Sequence, residues 1–310
     1  MTALICGSVA YDVVMMFDGR FKDHILPDRI HMLNVAFLVP ALRRNFGGCA
    51  GNIGYNLKLL GGAGRIMATV GTDFGPYRAW LRDCGLATDY IRELPSEYTA
   101  QAYITTDSDN NQITAFHPGA MNHAHVNDVP ADAGITLGIV APENRDGMIG
   151  HANQFNAAGI PFIFDPGQGM TLFNGEELRR FIEQATWLAA NDYEASLLCE
   201  RTGMSLPEIA AKLKALIVTR GGSGSEIHVG GRQLDIPAAR PARLADPTGC
   251  GDAYRAGLLF GLQQDMPWEK IGRIASLMGA LKIEHHGTQN HRFTRDEFAA
   301  RYHENFGETL

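Results

Sequence analysis

Five cysteines (Cys6, Cys49, Cys84, Cys199 and Cys250) are spread along 310 residues without a single CxxC pair. An odd and scattered set excludes a disulfide framework, argues against a zinc site and suits a reducing cytoplasm. Long apolar runs are also missing, so no membrane-spanning helix is expected. The start, Met1 to Gly7, is apolar but has no basic segment and no cleavage pattern. No signal peptide is expected, and the chain reads as a soluble cytoplasmic protein. Positive charge is scarce. A formal net charge of −7 argues against a nucleic-acid partner, which would be held through its phosphates by a basic face. No Gly-Lys pair exists to build a P-loop, and no HExxH occurs. No GxGxxG follows the first apolar run, which excludes a Rossmann oxidoreductase.

What is present is ordinary globular material, 45% hydrophobic and 20% charged, enough to bury a large core near the upper size of one domain. Ala3 to Val9 is a short buried strand. Asp12 to Phe17 and Met32 to Val39 predict strands of a smaller sheet at the edge of the body. Two alternating runs, Thr99 to Thr106 and Gln112 to His117, flank the polar tip at 107–111 and predict a hairpin that completes that sheet. Helices are predicted over 52–60 and 73–84, with a strand at 65–71 between them. Beyond the hairpin, short apolar runs at 134–141, 161–165, 186–190 and 215–219 alternate with helix-period segments at 145–158, 176–184 and 193–201. That alternation predicts a parallel sheet covered on both faces. A late hairpin at 226–236 precedes helices at 249–263, 268–285 and 294–303. No repeat or interdomain linker interrupts the chain.

Four clusters sit just after predicted strands or at helix starts, where ligands bind in open α/β sheets. The most informative is Asp246-Pro247-Thr248-Gly249-Cys250-Gly251-Asp252, which runs directly into an apolar periodic segment. It predicts a loop feeding a helix whose free N–H groups gather at the positive end. A phosphate fits such an end, and Asp252 in the first turn is placed as a base. The same residues could also be a plain Asp/Gly cap. Gly47-Gly48 before Asn52 would let a ligand approach the backbone closely. Asn191 and Glu194 fit either a helix cap or a water-bridged Mg²⁺ site. Thr219, Gly221 and Gly224 form a glycine-rich turn open to a nucleotide or to a hairpin. The three histidines within 117–125 lack a tight metal spacing, and His285-His286-Gly287 reads as a helix end.

In order and spacing, these clusters resemble the ribokinase (PfkB) family of carbohydrate and nucleoside kinases, over nearly the whole chain. The paired motifs Gly47-Gly48-x-x-x-Asn52 and Asp246-x-x-Gly249-x-Gly251-Asp252 carry the likeness. The resemblance implies a three-layer α/β/α ribokinase-like fold with a mostly parallel central sheet. It implies one kinase domain over 1–310, with a discontinuous β lid at about 12–45 and 98–117. Gly249, Cys250 and Gly251 are then the anion hole and Asp252 the catalytic base. Asp12, Gly47, Gly48 and Asn52 bind sugar hydroxyls, and Asn191, Thr219, Gly221 and Gly224 serve ATP. Glu194 serves Mg²⁺, and Asp246 with Thr248 contacts a monovalent cation such as K⁺. Pro247 and Cys250 depart from the usual late motif but keep its backbone donors.

Within the family, the stretch from Asp109 to Met121 looks like that of prokaryotic adenosine and nucleoside kinases. Phe116 and Met121 can then wall a purine base, or simply pack as lid core. The expectation is transfer of the ATP γ-phosphoryl group to the 5′-hydroxyl of a purine nucleoside. A sugar kinase acting on ribose or fructose and a catalytically silent nucleoside sensor are the alternatives. The lid strands could pair two copies into a homodimer, or equally serve a monomer.

Overall fold

The computed structural model describes residues 1–25, 32, 34–109, 111–130 and 134–310. The first half of the chain supplies strands Thr2–Cys6 (β1), Ala10–Met16 (β2), Ala41–Gly47 (β3), Gly64–Val70 (β4), Tyr90–Glu93 (β5), Ala100–Thr106 (β6) and Gln112–His117 (β7). Ile135–Val140 (β8), Phe162–Phe164 (β9), Trp187–Asn191 (β10), Ala215–Thr219 (β11), Ser225–Val229 (β12) and Arg232–Ile236 (β13) follow. Nine of these form one sheet in the order β13-β12-β11-β10-β9-β8-β1-β4-β5. From β5 to β11 every neighbouring pair is parallel, and β12 and β13 close the edge as an antiparallel hairpin.

Helices cover both faces. Cys49–Leu59, Gly75–Asp83, Cys250–Gln263 and Trp268–Ile283 lie on one side. Arg145–Ala157, Gly175–Gln184, Asp192–Thr202 and Leu206–Ala210 lie on the other. In chain order, beginning from the short turn Phe21–His24 (α1), these are α2 and α3, then α4 to α7, then α8 and α9; Arg295–Phe306 is α10. The strands alternate between the two cores as their pleat demands. Ala3 and Ile5 pack into the first, Leu4 and Cys6 into the second. Burial on both faces is why these strands read as continuous apolar runs.

The second sheet is β3-β2-β6-β7. Its edge strand β3 is not where the sequence placed it. Among the described residues, 34–39 run without regular structure and the strand begins after Pro40, whose missing N–H suits a strand boundary. The apolar content of the earlier stretch has another use, since Phe37 packs against Phe17 and Phe21. The actual strand, Ala-Leu-Arg-Arg-Asn-Phe-Gly, is largely exposed and broken by Arg-Arg-Asn, so it offers no apolar run. Strand β5 was also missed, being four residues long with Arg92 and Glu93 at its exposed end.

Candidate active site

Helix α8 begins where the loop-to-helix reading places it. Gly249 is the cap at φ +79, a left-handed conformation that glycine takes at little cost. A Cβ there would stand 2.8 Å from Thr288 Cγ2, so backbone angle and space both call for glycine. Thr248 N donates to Asp246 Oδ1 at 2.9 Å and Cys250 N to the Pro247 carbonyl at 3.2 Å, which closes the turn. Among the described residues the N–H groups of Gly249, Gly251 and Asp252 have no partner in the chain. These are the orphan donors of a helix start.

Asp252 lies in that first turn, and its Oδ2 accepts a 2.8 Å hydrogen bond from Asn52 Nδ2. Burial pushes its carboxyl up to about 7. The Asn52 amide restrains the rise, the Asp165 charge adds to it, and Arg255 opposes it. Asn52 is buried on α2 and has both ends of its amide committed, because its Oδ1 accepts from Gln289 Nε2 at 3.0 Å. The same Gln289 nitrogen donates to Tyr77 OH at 2.6 Å, Tyr77 OH donates to the Gly47 carbonyl at 2.8 Å, and Trp80 Nε1 fixes Gln289 Oε1 at 2.9 Å. A buried chain of polar groups thus runs from Asp252 to Gly47.

Asp12 stands at the far end of that chain. A Cβ on Gly47 would fall 2.5 Å from Asp12 Oδ2, and Gly48 adopts φ +84, with the Ala10 nitrogen and Ser8 carbonyl only 2.6 Å from its own Cβ position. Gly48 is therefore required by backbone angle and close approach, whereas a side chain at Gly47 would push the Asp12 carboxylate from its place. Burial raises the Asp12 carboxyl to about 6, with a further push from Asp246. Asp12 and Asp252 both act on the Tyr77 hydroxyl, which burial pushes well up. Both carboxylates thus lie near the Tyr77 hydroxyl. Strand register sets Asn45, Asp12, Ala102 and Phe116 side by side on one face of the small sheet. Phe116 is 53% exposed on that face, and Met121 is half-buried in the turn that follows β7.

At the end of β10, Asn191 and Glu194 form a reciprocal cap of α6. Glu194 N donates to Asn191 Oδ1 at 2.7 Å and Asn191 N to Glu194 Oε2 at 2.8 Å. Thr219 ends β11, and its hydroxyl donates to the Ala190 carbonyl at 3.4 Å. Gly221 and Gly224 take φ +53 and +88 in the turn that follows. Ser225, just past that turn, shares a 2.6 Å hydrogen bond with Tyr254 OH of α8. The glycine-rich turn after β11 and helix α8 are thereby tied together.

Four residues of this constellation escaped the sequence reading. Arg255 and Asp165 form a buried ion pair at 3.0 Å, and Arg255 also donates to the Ala189 carbonyl at 3.2 Å. Asp165 follows β9 directly, so the rule that found the other clusters could have found it. Gln289 gave no local signal, because its partners are more than 200 residues away. Lys282 is the fourth. It continues the apolar stripe Ile271, Ala275, Met278 of α9 and is fully buried. Its Nζ donates to the Asp246 carbonyl at 2.8 Å and to the His285 carbonyl at 3.2 Å, and lies 4.0 Å from Asp246 Oδ2. A lysine on a helix's apolar stripe is the signal that could have flagged it.

Among the described residues no helix is long and apolar enough to cross a membrane, and no group of three or more His, Cys, Asp or Glu side chains could hold a metal by itself. The pattern of the pfkB family carbohydrate kinases matches residues 12–294. A nucleoside kinase of Methanocaldococcus jannaschii is 30% identical over 271 residues, covering 86% of this chain and 89% of that protein. The Burkholderia thailandensis nucleoside kinase solved in complex with inosine is 53% identical, with a TM-score of 0.90 and 99% of each chain covered. Its ADP-inosine complex gives 55% identity and a TM-score of 0.88, covering 99% of this chain and 97% of that one.

Proposed function

Since the chain belongs to the pfkB family of carbohydrate kinases and is an ATP-dependent kinase acting on a hydroxyl group, we propose that it transfers the γ-phosphoryl group of ATP to the 5′-hydroxyl of a purine nucleoside. The observation that carries the acceptor is the row Asn45, Asp12, Ala102, Phe116. It sets a carboxylate for ribose hydroxyls beside a large exposed aromatic surface. A free sugar would leave Phe116 uncovered, whereas a base gains by covering it. The relative of known structure solved with inosine supports the same reading.

In this proposal Asp12 binds the ribose hydroxyls, and Gly47 and Gly48 let the sugar lie against the backbone. Asn52 is better placed to hold Asp252 than to reach the sugar, since its amide is already shared between Asp252 and Gln289. Orientation of this kind supplies several kcal/mol of a barrier. Asp252 Oδ takes the proton of the attacking hydroxyl. The N–H groups of Gly249 and Gly251, with Cys250 between them, meet the charge on the transferring oxygens. Thr219, Gly221 and Gly224 hold the nucleotide, with Asn191 beside them. The four-stranded sheet is the lid of a single domain and excludes water when it covers the acceptor. Its opposite face exposes Leu42, Tyr103 and Ile113, where two copies could pair; the mass of the protein in solution reads this out.

The donor set fits Mg²⁺ bound mainly through phosphates and water. Glu194 is a carboxylate with one oxygen committed to the cap, and it stands close enough to Asp165 and Arg255 to feel both charges. Glu194 and Asn191 would hold the ion's waters, and the ion would neutralise phosphate charge.

The test is ADP release with Mg²⁺-ATP across inosine, guanosine, adenosine, cytidine, ribose and fructose. Purine nucleosides should give kcat/KM at least about tenfold above ribose. Activity confined to free sugars would overturn the acceptor assignment, and a product phosphorylated elsewhere than O5′ would overturn the regiochemistry.

A further inference from the structure

The resemblance implies a monovalent cation at Asp246 and Thr248, but the residues present do not fit one. Positive charge is already there, on a side chain. The Lys282 ammonium donates to the Asp246 and His285 carbonyls at 2.8 and 3.2 Å and stands 4.0 Å from the Asp246 carboxylate. Backbone carbonyls with one carboxylate are the oxygen set a monovalent ion would take from this loop. An ion placed against the same oxygens would meet a fully buried ammonium, a like charge in a poorly screened setting.

A lysine near the end of a helix often does no more than bond the last carbonyls of its own helix. Lys282 reaches further. Its shortest bond goes to Asp246, outside α9. That loop in turn caps α9, since Ala245 N and Asp246 N both donate to the Ile283 carbonyl at 2.9 and 3.1 Å. Asp246 also accepts from Gly287 N at 2.9 Å and Thr248 N at 2.9 Å. Lys282 therefore sits at the centre of the loop whose next residues, Gly249 to Asp252, present the free N–H groups. Its charge is felt by Cys250 and Asp252 at the helix start. Burial pulls the ammonium's own pKa down, and the Asp246 carboxylate is the largest influence in the opposite direction.

We propose that Lys282 is a built-in monovalent cation, holding the Asp246–Gly251 loop in its phosphate-binding shape and freeing the protein from any need for K⁺. It is a positioning residue: it touches the loop that meets the transferring phosphate, not the phosphate itself.

The test compares saturating KCl with tetramethylammonium chloride at equal ionic strength, reading turnover and melting temperature for the full chain and for Lys282→Ala. The parent protein should change less than about twofold in turnover, with no specific rise in melting temperature on adding K⁺. Lys282→Ala opens the space and should lose at least about tenfold in turnover in tetramethylammonium. K⁺ or ammonium should restore part of that loss and raise the variant's melting temperature by binding the native state. A parent protein stimulated about tenfold or more by K⁺, or melting higher with it, overturns the proposal, and so does a Lys282→Ala variant with full turnover in tetramethylammonium. The parent arm decides the matter even if the variant folds poorly. The melting arm involves no acceptor, so its failure is distinct from a failure of the nucleoside assignment.

Discussion

As the base of the proposed reaction, Asp252 meets opposing demands within one side chain. A base must be ionised to take a proton, yet burial disfavours the ion and pushes the carboxyl up to about 7; the Asn52 amide and Arg255 limit the rise and Asp165 adds to it. A pKa close to the operating pH suits general-base catalysis. Only the ionised form accepts the hydroxyl proton, so kcat/KM should fall about tenfold per pH unit below about 7 and level off above it. Asp252→Asn should lower kcat by about 10²–10⁴-fold and leave acceptor affinity within about threefold. Near-parental turnover in the variant would remove Asp252 from this role. The helix start that carries Asp252 was legible in the sequence because its residues are adjacent. Gly249, Gly251 and Asp252 lie within four residues and declare a helix start. Arg255 and Gln289 declare nothing locally, since each acts on a group far along the chain, and Lys282 shows itself only as a charge on the apolar stripe of α9.

Elements carry these side chains to one another, and the pair α8 and α9 shows how. A Cβ on Gly257 would stand 2.4 Å from Ala275 Cα, and one on Gly261 2.6 Å from Ile271 Cγ1. The two helices are thus in backbone contact, which brings the end of α9, with Lys282, up to the loop that starts α8. Gly257→Val should force them apart. Overpacking at such a site costs about 1–3 kcal/mol, to be read from urea unfolding, and turnover should fall with it because the Asp246–Gly251 loop loses its support. A variant as stable as the parent would show that this contact does not set the spacing. At this scale the parallel strands were readable, since strands buried on both faces must be apolar throughout. Strand β3 was not, because its Arg43, Arg44 and Asn45 belong to a sheet with little core behind it.

The whole molecule balances a costly site against two large cores. Nine strands carry apolar side chains into clusters on both faces, while the site gathers Asp12, Asp165, Glu194, Asp246 and Asp252 near their carboxyl ends. The order β10-β9-β8-β1 could not be read from the sequence, because β1 lies between β8 and β4 and its pairing spans more than a hundred residues. The site's cost can be measured through Asp252. Its folded pKa of about 7 lies above the ordinary 3.8, so the folded chain keeps a proton that the unfolded chain has released. Folding stability is therefore lost as pH rises from about 4 to about 7, and the loss is complete above that. Asp252 is only half-buried, and water at its rim reduces the effect to about 1–3 kcal/mol. Asn has no charge to desolvate and can still accept from Asn52. Asp252→Asn should therefore melt above the parent at pH 8, with the gap closing toward pH 4, while turnover is lost at both. Such a trade of stability for activity is common at catalytic groups. A variant melting below the parent at pH 8, or a gap of constant size across that range, would show that Asp252 is not held ionised against its surroundings.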